Sequence, residues 1–434
     1  MRLLISGGRV VDPAQNLDAP ADVLLEGPKV AAVGRGLAER PGLRGVPRLN
    51  AAGCWVLPGL IDLHVHLREP GREEDETFAT GGRAAAAGGV TTLVAMANTS
   101  PTPDSPARLR ALRARARRDS PVEVLFAAPV TRGLGGRVLV DFEALAAAGA
   151  AAFSDDGRPV GDSALLRGAL EALRETGRPL LDHAEDPGLA GGGAFHEGAA
   201  RRLGVPGIPH AAETLPSLRD LLLAELCGGR LHLCHVSCAA VVALVREARR
   251  RGAAVTAEAA PHHLLLDEDD VPRSAARAPF FKMNPPLRTA ADRAALLAGL
   301  ADGTIGAVAT DHAPHAAAKK ALGARRAPCG VIGLETLAPA ALELVRRGTL
   351  DRRRLAERLA LGPARILGLR TKGRLTRGAD ADVCVLDPND PFTLGPEFRS
   401  KSGNSPFIGR RFPGRVRATV SGGRVVFLRA RSAR

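Results

Sequence analysis

The sequence contains no tyrosine and one tryptophan, and aromatic residues make up only 3% of it. Platforms for stacking single-stranded bases are therefore scarce, although the formal net charge of +14 first suggests a nucleic-acid partner. Most of the positive charge is arginine strewn along helix-like runs such as LRALRARARR, which reads as a solvated outer face. No stretch approaches the ~20 apolar residues of a membrane-spanning helix. The opening MRLLISGGRVVDP has neither a long apolar region nor a small-residue cleavage site, so no secretory signal is expected. The six cysteines (Cys54, Cys227, Cys234, Cys238, Cys329, Cys384) include no Cys-x-x-Cys pair. Scattered thiols of this kind suit a reduced, cytoplasmic protein better than a disulfide framework. Lysine is also missing between Lys29 and Lys282, so no site can draw a lysine from that long stretch.

What is present points to a globular protein with a large core. The 434 residues are 45% hydrophobic, with a mean hydropathy of −0.01, enough for a large domain and an accessory one. Both ends read as short strands and turns: LLISGGRVVD, ADVLLEG and KVAAVG at the start, ADVCVLDP and RATVSGGRVVFL at the finish. ISGGRVVD and VSGGRVVF are near copies at opposite ends, which suggests that residues 1–56 and 366–434 meet in one small β-sandwich. Between them, residues 57–365 alternate strand-like runs with Ala/Leu/Arg helical runs. The strand-like runs are LPGLIDLHVH, TTLVAMAN, VEVLFAAPV, AAAFSD, PLLDH, LHLCHVS, AVTAEAAP and GAVATDH. Eight strands, each followed by helical or connecting chain, match an α/β fold of the (β/α)8 TIM-like barrel type. A doubly wound open sheet is the rival, and periodicity alone leaves it open.

The strand ends carry the chemistry. In IDLHVHLREPG, apolar Ile61, Leu63 and Val65 alternate with Asp62, His64 and His66. Side chains two apart on a strand share a face, so His64 and His66 point the same way. Strand four ends near Asp155 and Asp156, strand five at His183, strand six at His235 and strand eight at Asp311. Barrel strands converge on one mouth at their C-terminal ends. Imidazole and carboxylate without thiolate suit zinc or another borderline divalent ion. Four His and two Asp exceed what one tetrahedral ion needs, so two ions with a bridging carboxylate are expected, which is hydrolytic equipment.

These residues carry a resemblance that covers almost the whole chain. DLHVHLREPG, MANTSP, FSDDG, LLDHAED, LHLCHVS, FKMNPPLR, ATDHAPH and GVIGLET resemble the bacterial type I dihydroorotases of the amidohydrolase superfamily. The resemblance implies reversible cyclisation of N-carbamoyl-L-aspartate to L-dihydroorotate in pyrimidine biosynthesis, through a hydroxide shared by two Zn²⁺ ions. It implies that His64, His66 and Asp311 hold the first ion, His183 and His235 the second, with Asp156 between them. Asp155 is then a neighbouring structural acceptor, and His232 is not a ligand. Many relatives bridge with a carbamylated lysine; this sequence has only an Asp for that position. Around the substrate the resemblance places His66, with Arg68, Asn98 and His315 near its carboxylate, and Asn284 with the main chain of Cys329 and Gly330 at the amide edge. A planar Arg68 fork suits a carboxylate, and Asp311 is implied as the catalytic proton carrier.

The chain departs from that pattern in three places. Ala97 replaces the proline usual before Asn98, Cys329 stands where phenylalanine is common, and the acidic stretch usual after DHAPH is here AAAKKALGARR, residues 316–326. Hydantoinase or allantoinase is the nearest enzymatic rival, sharing the metal core but generally using the lysine bridge. A non-catalytic scaffold for aspartate transcarbamoylase is a further reading, against which all six ligand positions are filled. The expected partners are the small-molecule substrate, a second copy in a homodimer, and aspartate transcarbamoylase as a candidate; neither nucleic acid nor membrane is expected.

Overall fold

A computed structural model describes residues 2–274 and 276–430. Its centre is a parallel eight-stranded sheet in sequential order. The strands are Leu60–Val65, Val90–Ala95, Glu123–Ala128, Ala152–Phe153, Leu180–Asp182, Leu231–Leu233, Val255–Ala259 and Ala307–Val308. Helices follow in the intervals, among them Phe78–Ala87, Pro106–Asp119, Ser163–Thr176, Ala211–Cys227, Ala239–Arg250 and Ala290–Asp302. Helix Ser163–Thr176 illustrates the local logic. Asp162 caps its N-terminus by accepting from Ala164 and Leu165, Gly177 ends it in the left-handed region, and Leu166, Ala169, Leu170 and Leu173 bury one face. The (β/α)8 reading therefore holds, and the open-sheet rival falls.

Closure depends on a buried carboxylate. Asp62 on strand one accepts from the Thr310 amide at 3.0 Å and its hydroxyl at 2.6 Å, and from the His64 amide at 3.3 Å. The His66 amide also donates to the His312 carbonyl, and Val65 bridges His312 in parallel register. These bonds join the first strand to the chain leaving the eighth. They explain why that eighth strand is shorter than the run GAVATDH suggests. After Val308 the backbone turns through a left-handed Asp311, φ 47°, and Thr310 is held by a side chain rather than by a ladder.

Both ends of the chain build a sandwich beside the barrel. A four-stranded sheet holds Lys29–Gly34, Asp22–Glu26, Arg2–Ser6 and Arg48–Asn50 in that order. A six-stranded sheet runs Arg424–Leu428, Arg415–Ser421, Val383–Asp387, Trp55–Pro58, Arg9–Asp12, Leu17–Pro20. The Arg-Val-Val parts of the two SGGRVV copies, in strands Arg9–Asp12 and Arg424–Leu428, thus lie in one sheet. Leu3, Ile5, Val23 and Leu25 pack there with Val10, Val56, Val383, Val385, Ala418 and Val420. Strands buried on one face and contributed from distant segments tie the two termini together by apolar burial.

Asp62→Ala would leave the Thr310 and His64 donors buried without an acceptor. Each such group costs about 1–3 kcal/mol, so the urea-unfolding free energy should fall by at least about 2 kcal/mol. An unchanged unfolding midpoint with unchanged cooperativity would show that barrel closure does not depend on this carboxylate.

Candidate metal centre and substrate cleft

Five strand ends deliver buried imidazoles and carboxylates to one place. His64 Nε2 lies 3.2 Å from Asp156 Oδ1 and 3.6 Å from Asp311 Oδ1. His66 Nε2 lies 3.2 Å from Asp311 Oδ1 and 3.4 Å from Asp156 Oδ2. On the other side, His183 Nδ1 is 3.0 Å from His235 Nε2 and 3.4 Å from Asp156 Oδ1, and His235 Nε2 is 3.7 Å from that same oxygen. Asp156 therefore faces all four imidazoles, one oxygen toward His64, His183 and His235 and the other toward His66.

Two groupings have metal-ligand character: His64, His66 and Asp311, and His64, Asp156 and His235, each with one ligand atom per residue within 4.8 Å of the others. A third gathers His64, Cys234 and Glu258, where His64 Nδ1 stands 3.5 Å from Glu258 Oε1. Neither ring nitrogen of His64 makes a well-formed hydrogen bond, although both are buried. Orphaned buried nitrogens beside two carboxylates fit a cation better than a closed hydrogen-bond network. The donor set, imidazole and carboxylate, is that of a borderline divalent ion.

The electrostatics agree. Burial raises the Asp311 carboxyl, but the His66 hydrogen bond and the charges of His64 and His235 outweigh it and hold it below the ordinary range. Asp156 is likewise held well below its usual value against burial, chiefly by His64 and by hydrogen bonds from His183 and His235. Burial pulls His183 down, yet Asp156 and Glu185 push it up to about 10. Both carboxylates thus stay ionised and draw positive charge into the cluster, as a proton or as a metal ion.

Backbone strain and outer partners fix the geometry. Arg68, His235 and Asp311 all adopt left-handed φ, at 60°, 35° and 47°. Such conformations cost about 1–3 kcal/mol each in ordinary residues and gather at functional sites. Asp155 accepts from Val130 at 2.7 Å and Thr131 at 3.1 Å, which anchors the strand-four turn and leaves Asp156 to the cluster. His232 is on Glu258 at 3.0 Å and Thr256 at 2.8 Å, outside the ligand set.

A cleft of about 310 Å³ opens over this cluster, lined by His66, Arg68, Asn98, Asn284, His315, Cys329 and Gly330 among others. That volume suits a small molecule. Every residue expected around the substrate is present. Their bonds refine the expectation. Asn98 Oδ1 is 3.0 Å from His66 Nδ1 and its Nδ2 is 3.4 Å from Asp156 Oδ2, so it orients two cluster residues as well as facing the cleft. His315 lies 2.7 Å from the Cys329 carbonyl, and burial with the Arg68 charge pushes it down to about 3. It is neutral, so Arg68 and Arg72 are the guanidinium groups that line the cleft. Arg68 donates through Nε to the Pro314 carbonyl at 3.2 Å, and its Nη2 stands 3.5 Å from His315 Nε2. Asn284 is held by Glu185 at 2.9 Å.

Several supports were not legible in the sequence. Asn404, from the C-terminal stretch, donates to the carbonyls of Ala313 at 3.1 Å and Gly330 at 3.0 Å and accepts from the His315 amide at 3.2 Å. Lys320, in the basic segment 316–326, is buried and donates to the carbonyls of Pro328 at 3.0 Å and Gly330 at 2.9 Å. The segment thus includes an internal brace for the cleft wall. Its neighbour Lys319 pairs with Glu74 at 2.7 Å and Asp75 at 2.6 Å.

Comparisons with known proteins give a consistent picture. Residues 53–240 match the family described as Dihydro-orotase-like, and residues 223–427 match the Amidohydrolase family. The chain is 51% identical to a dihydroorotase of Anaeromyxobacter dehalogenans, covering 98% of this chain and 97% of that protein. It is 44% identical to a dihydroorotase of Pelobacter propionicus, covering 99% and 100%. Among solved structures it superposes on an L-hydantoinase from Arthrobacter aurescens with a TM-score of 0.87 at 26% identity, over 99% of this chain and 97% of that one. A dihydropyrimidinase from Brevibacillus agri gives 0.86 at 27%, over 99% and 95%.

Lys320 has a pH signature. Burial and Lys282 push its ammonium down to about 7, far below an unfolded lysine at ~10.4. The unfolded chain therefore binds more protons between those values, and the destabilisation from the buried charge is relieved as pH rises through them. In Lys320→Met the unfolding free energy should lose this upward slope between about pH 7 and 10. Identical slopes in urea titrations of both proteins would place the proton elsewhere.

Proposed function

The chain belongs to the dihydroorotase family of amidohydrolases, and from that premise we propose that it interconverts N-carbamoyl-L-aspartate and L-dihydroorotate, as a cytoplasmic enzyme of pyrimidine biosynthesis. The observation that carries this reading is the single cleft in which Arg68, Asn98 and His315 stand beside an imidazole–carboxylate cluster. A ring amide that also bears a carboxylate meets both halves of that cleft.

Two zinc ions per chain are part of the reading, one with His64, His66 and Asp311, one with His183 and His235, and Asp156 between them. When bound, such ions lower the pKa of water and polarise a carbonyl. Asp156 fits the bridging position by facing His64, His66, His183 and His235.

The protein groups then divide the work. Arg68 holds the substrate carboxylate through its planar fork, with Asn98 and His315 beside it. Asn284 and the main chain of Cys329 and Gly330 hold the amide edge, which fixes the ring over the cluster. In hydrolysis water adds to the ring carbonyl carbon, and the ring carbon–nitrogen bond breaks. Asp311 takes one proton from that water and passes it to the leaving nitrogen, giving the ureido group and a carboxylic acid whose remaining proton goes to solvent. In synthesis the proton runs the other way: Asp311 takes it from the ureido nitrogen as that nitrogen adds to the carboxyl carbon and yields it to the departing hydroxyl, which leaves as water, while the carboxylate draws its own proton from solvent.

Residues 57–365 form the catalytic unit in this reading, and the enzyme works as a homodimer with aspartate transcarbamoylase as its candidate partner. The hydantoinase alternative shares the fold but would leave Arg68 without an anion to hold.

Arg68→Lys keeps the charge and loses the fork. kcat/KM for dihydroorotate should fall by about 1.5–3 kcal/mol, the scale of one charged hydrogen bond, with the metal content unchanged. Wild-type kinetics in this variant would remove Arg68 from the substrate site. Asp311→Asn retains an oxygen for a cation but cannot carry a proton. Turnover should drop by ~10²–10⁴-fold while the fold persists. Near-normal turnover with the metal retained would make Asp311 a ligand only.

A further inference from the structure

The long connection after the fifth barrel strand carries two histidines that no step above uses. His196 and His210 stack edge-on with ring centroids 4.6 Å apart, and His196 Nε2 lies 3.3 Å from His210 Nδ1. Each ring places its other nitrogen against a carboxylate. His196 Nδ1 is 2.7 Å from Glu268 Oε2, and His210 Nε2 is 2.8 Å from Asp292 Oδ2. Both carboxyls are held below their ordinary values: burial opposes this, but His196 outweighs it at Glu268, and the Ala239 amide and His210 outweigh it at Asp292.

An ionised carboxylate only accepts hydrogen bonds. The proton of each neutral imidazole must therefore sit on His196 Nδ1 and on His210 Nε2. The two facing nitrogens, His196 Nε2 and His210 Nδ1, are then both bare, and their lone pairs meet at 3.3 Å. Something positive must lie between them, either a shared proton or a metal ion. Three observations favour the ion. Nitrogens at about 2.0–2.1 Å from a tetrahedral zinc stand about 3.3–3.4 Å apart, which is the spacing found. Imidazoles whose far nitrogen is fixed by a carboxylate are the arrangement that metal-binding histidines use to set tautomer and basicity. Burial also pushes the His196 ring below its ordinary value despite Glu268, which disfavours a proton there.

The surroundings admit a cation. The positive charge of Arg288 acts on His196, but its donors go to Ser237, Ile208 and Glu213. Arg202 pairs with Asp269 at 3.1 Å. The side chain of His210 is 38% exposed, so an ion has an entrance and water can complete its shell. We propose that His196 Nε2 and His210 Nδ1 bind a divalent ion of the zinc class at a peripheral site separate from the catalytic cluster. The ion joins His196 and His210, before the sixth strand, to Glu268 and Asp292, beyond the seventh. It would tie the loop after the fifth strand to the stretch after the seventh that carries Asn284 and Arg288.

The test counts ions by difference. Zn²⁺ is titrated by equilibrium dialysis into enzyme already loaded at its catalytic cluster, using wild type, His210→Ala and His196→Gln. The wild type should take up one equivalent more than either variant, and His210→Ala, altered at a partly exposed ring, should keep wild-type turnover. Co²⁺ in place of the extra Zn²⁺ should add a visible ligand-field absorption in the wild type alone. Equal uptake by all three proteins overturns the proposal. So does a wild type that takes no extra ion while its two imidazoles titrate as a pair sharing one proton.

Discussion

The Asp156 carboxylate, shared among four buried imidazoles, is the constraint on which the rest of the structure depends. Its oxygens lie within 3.7 Å of ring nitrogens from His64, His66, His183 and His235. Those residues come from three different strand ends, and Asp156 from a fourth. Charges removed from water are tolerated only when paired and held in place. With Asp311 from the end of the eighth strand, the barrel has to bring five strand ends to one point without slack. Asp62 pins strand one to Thr310, Asp155 pins the strand-four turn to Val130 and Thr131, and left-handed backbone aims His235 and Asp311. Most of the buried polar groups around the mouth are understandable as supports for that one convergence.

Much of this was legible in the sequence because the relevant patterns are local. Alternation in IDLHVH puts His64 and His66 on one face, and the same period places other His and Asp residues at strand ends. The repeated SGGRVV segments pointed to a small β domain shared by both termini, since each marks a turn between two short strands that cannot bury their apolar faces alone. FSDDG is the limiting case. There the resemblance assigns Asp156 to the cluster and Asp155 to a structural role, and the structure turns Asp155 to Val130 and Thr131 and Asp156 to the imidazoles.

What escaped was non-local. Lys320 looks like part of a solvated basic run, because AAAKKALGARR has no apolar period to mark one lysine as buried. Its acceptors are main-chain carbonyls at Pro328 and Gly330, which leave no trace in residue types. Asn404 lies among turn-forming residues of the C-terminal stretch, yet it braces Ala313, Gly330 and His315. The pairing of His196 with His210 likewise depends on a loop whose path no periodicity reveals. Side-chain-to-backbone bonds across long separations follow from the fold, and only the fold displays them.

The hydantoinase-like structures share the barrel at 26% identity, so architecture alone does not choose the substrate. In the proposed reading Arg68 makes the choice, holding the substrate carboxylate in a cleft where His315 is neutral. The most direct measurement compares kcat/KM for dihydroorotate with that for dihydrouracil, the same ring without the carboxylate. Two charged hydrogen bonds of about 1.5–3 kcal/mol each predict a preference of roughly 10²–10⁴-fold for dihydroorotate. Equal turnover of the two rings, or a preference for the neutral one, would contradict the assignment of this cleft to a carboxylate-bearing cyclic amide.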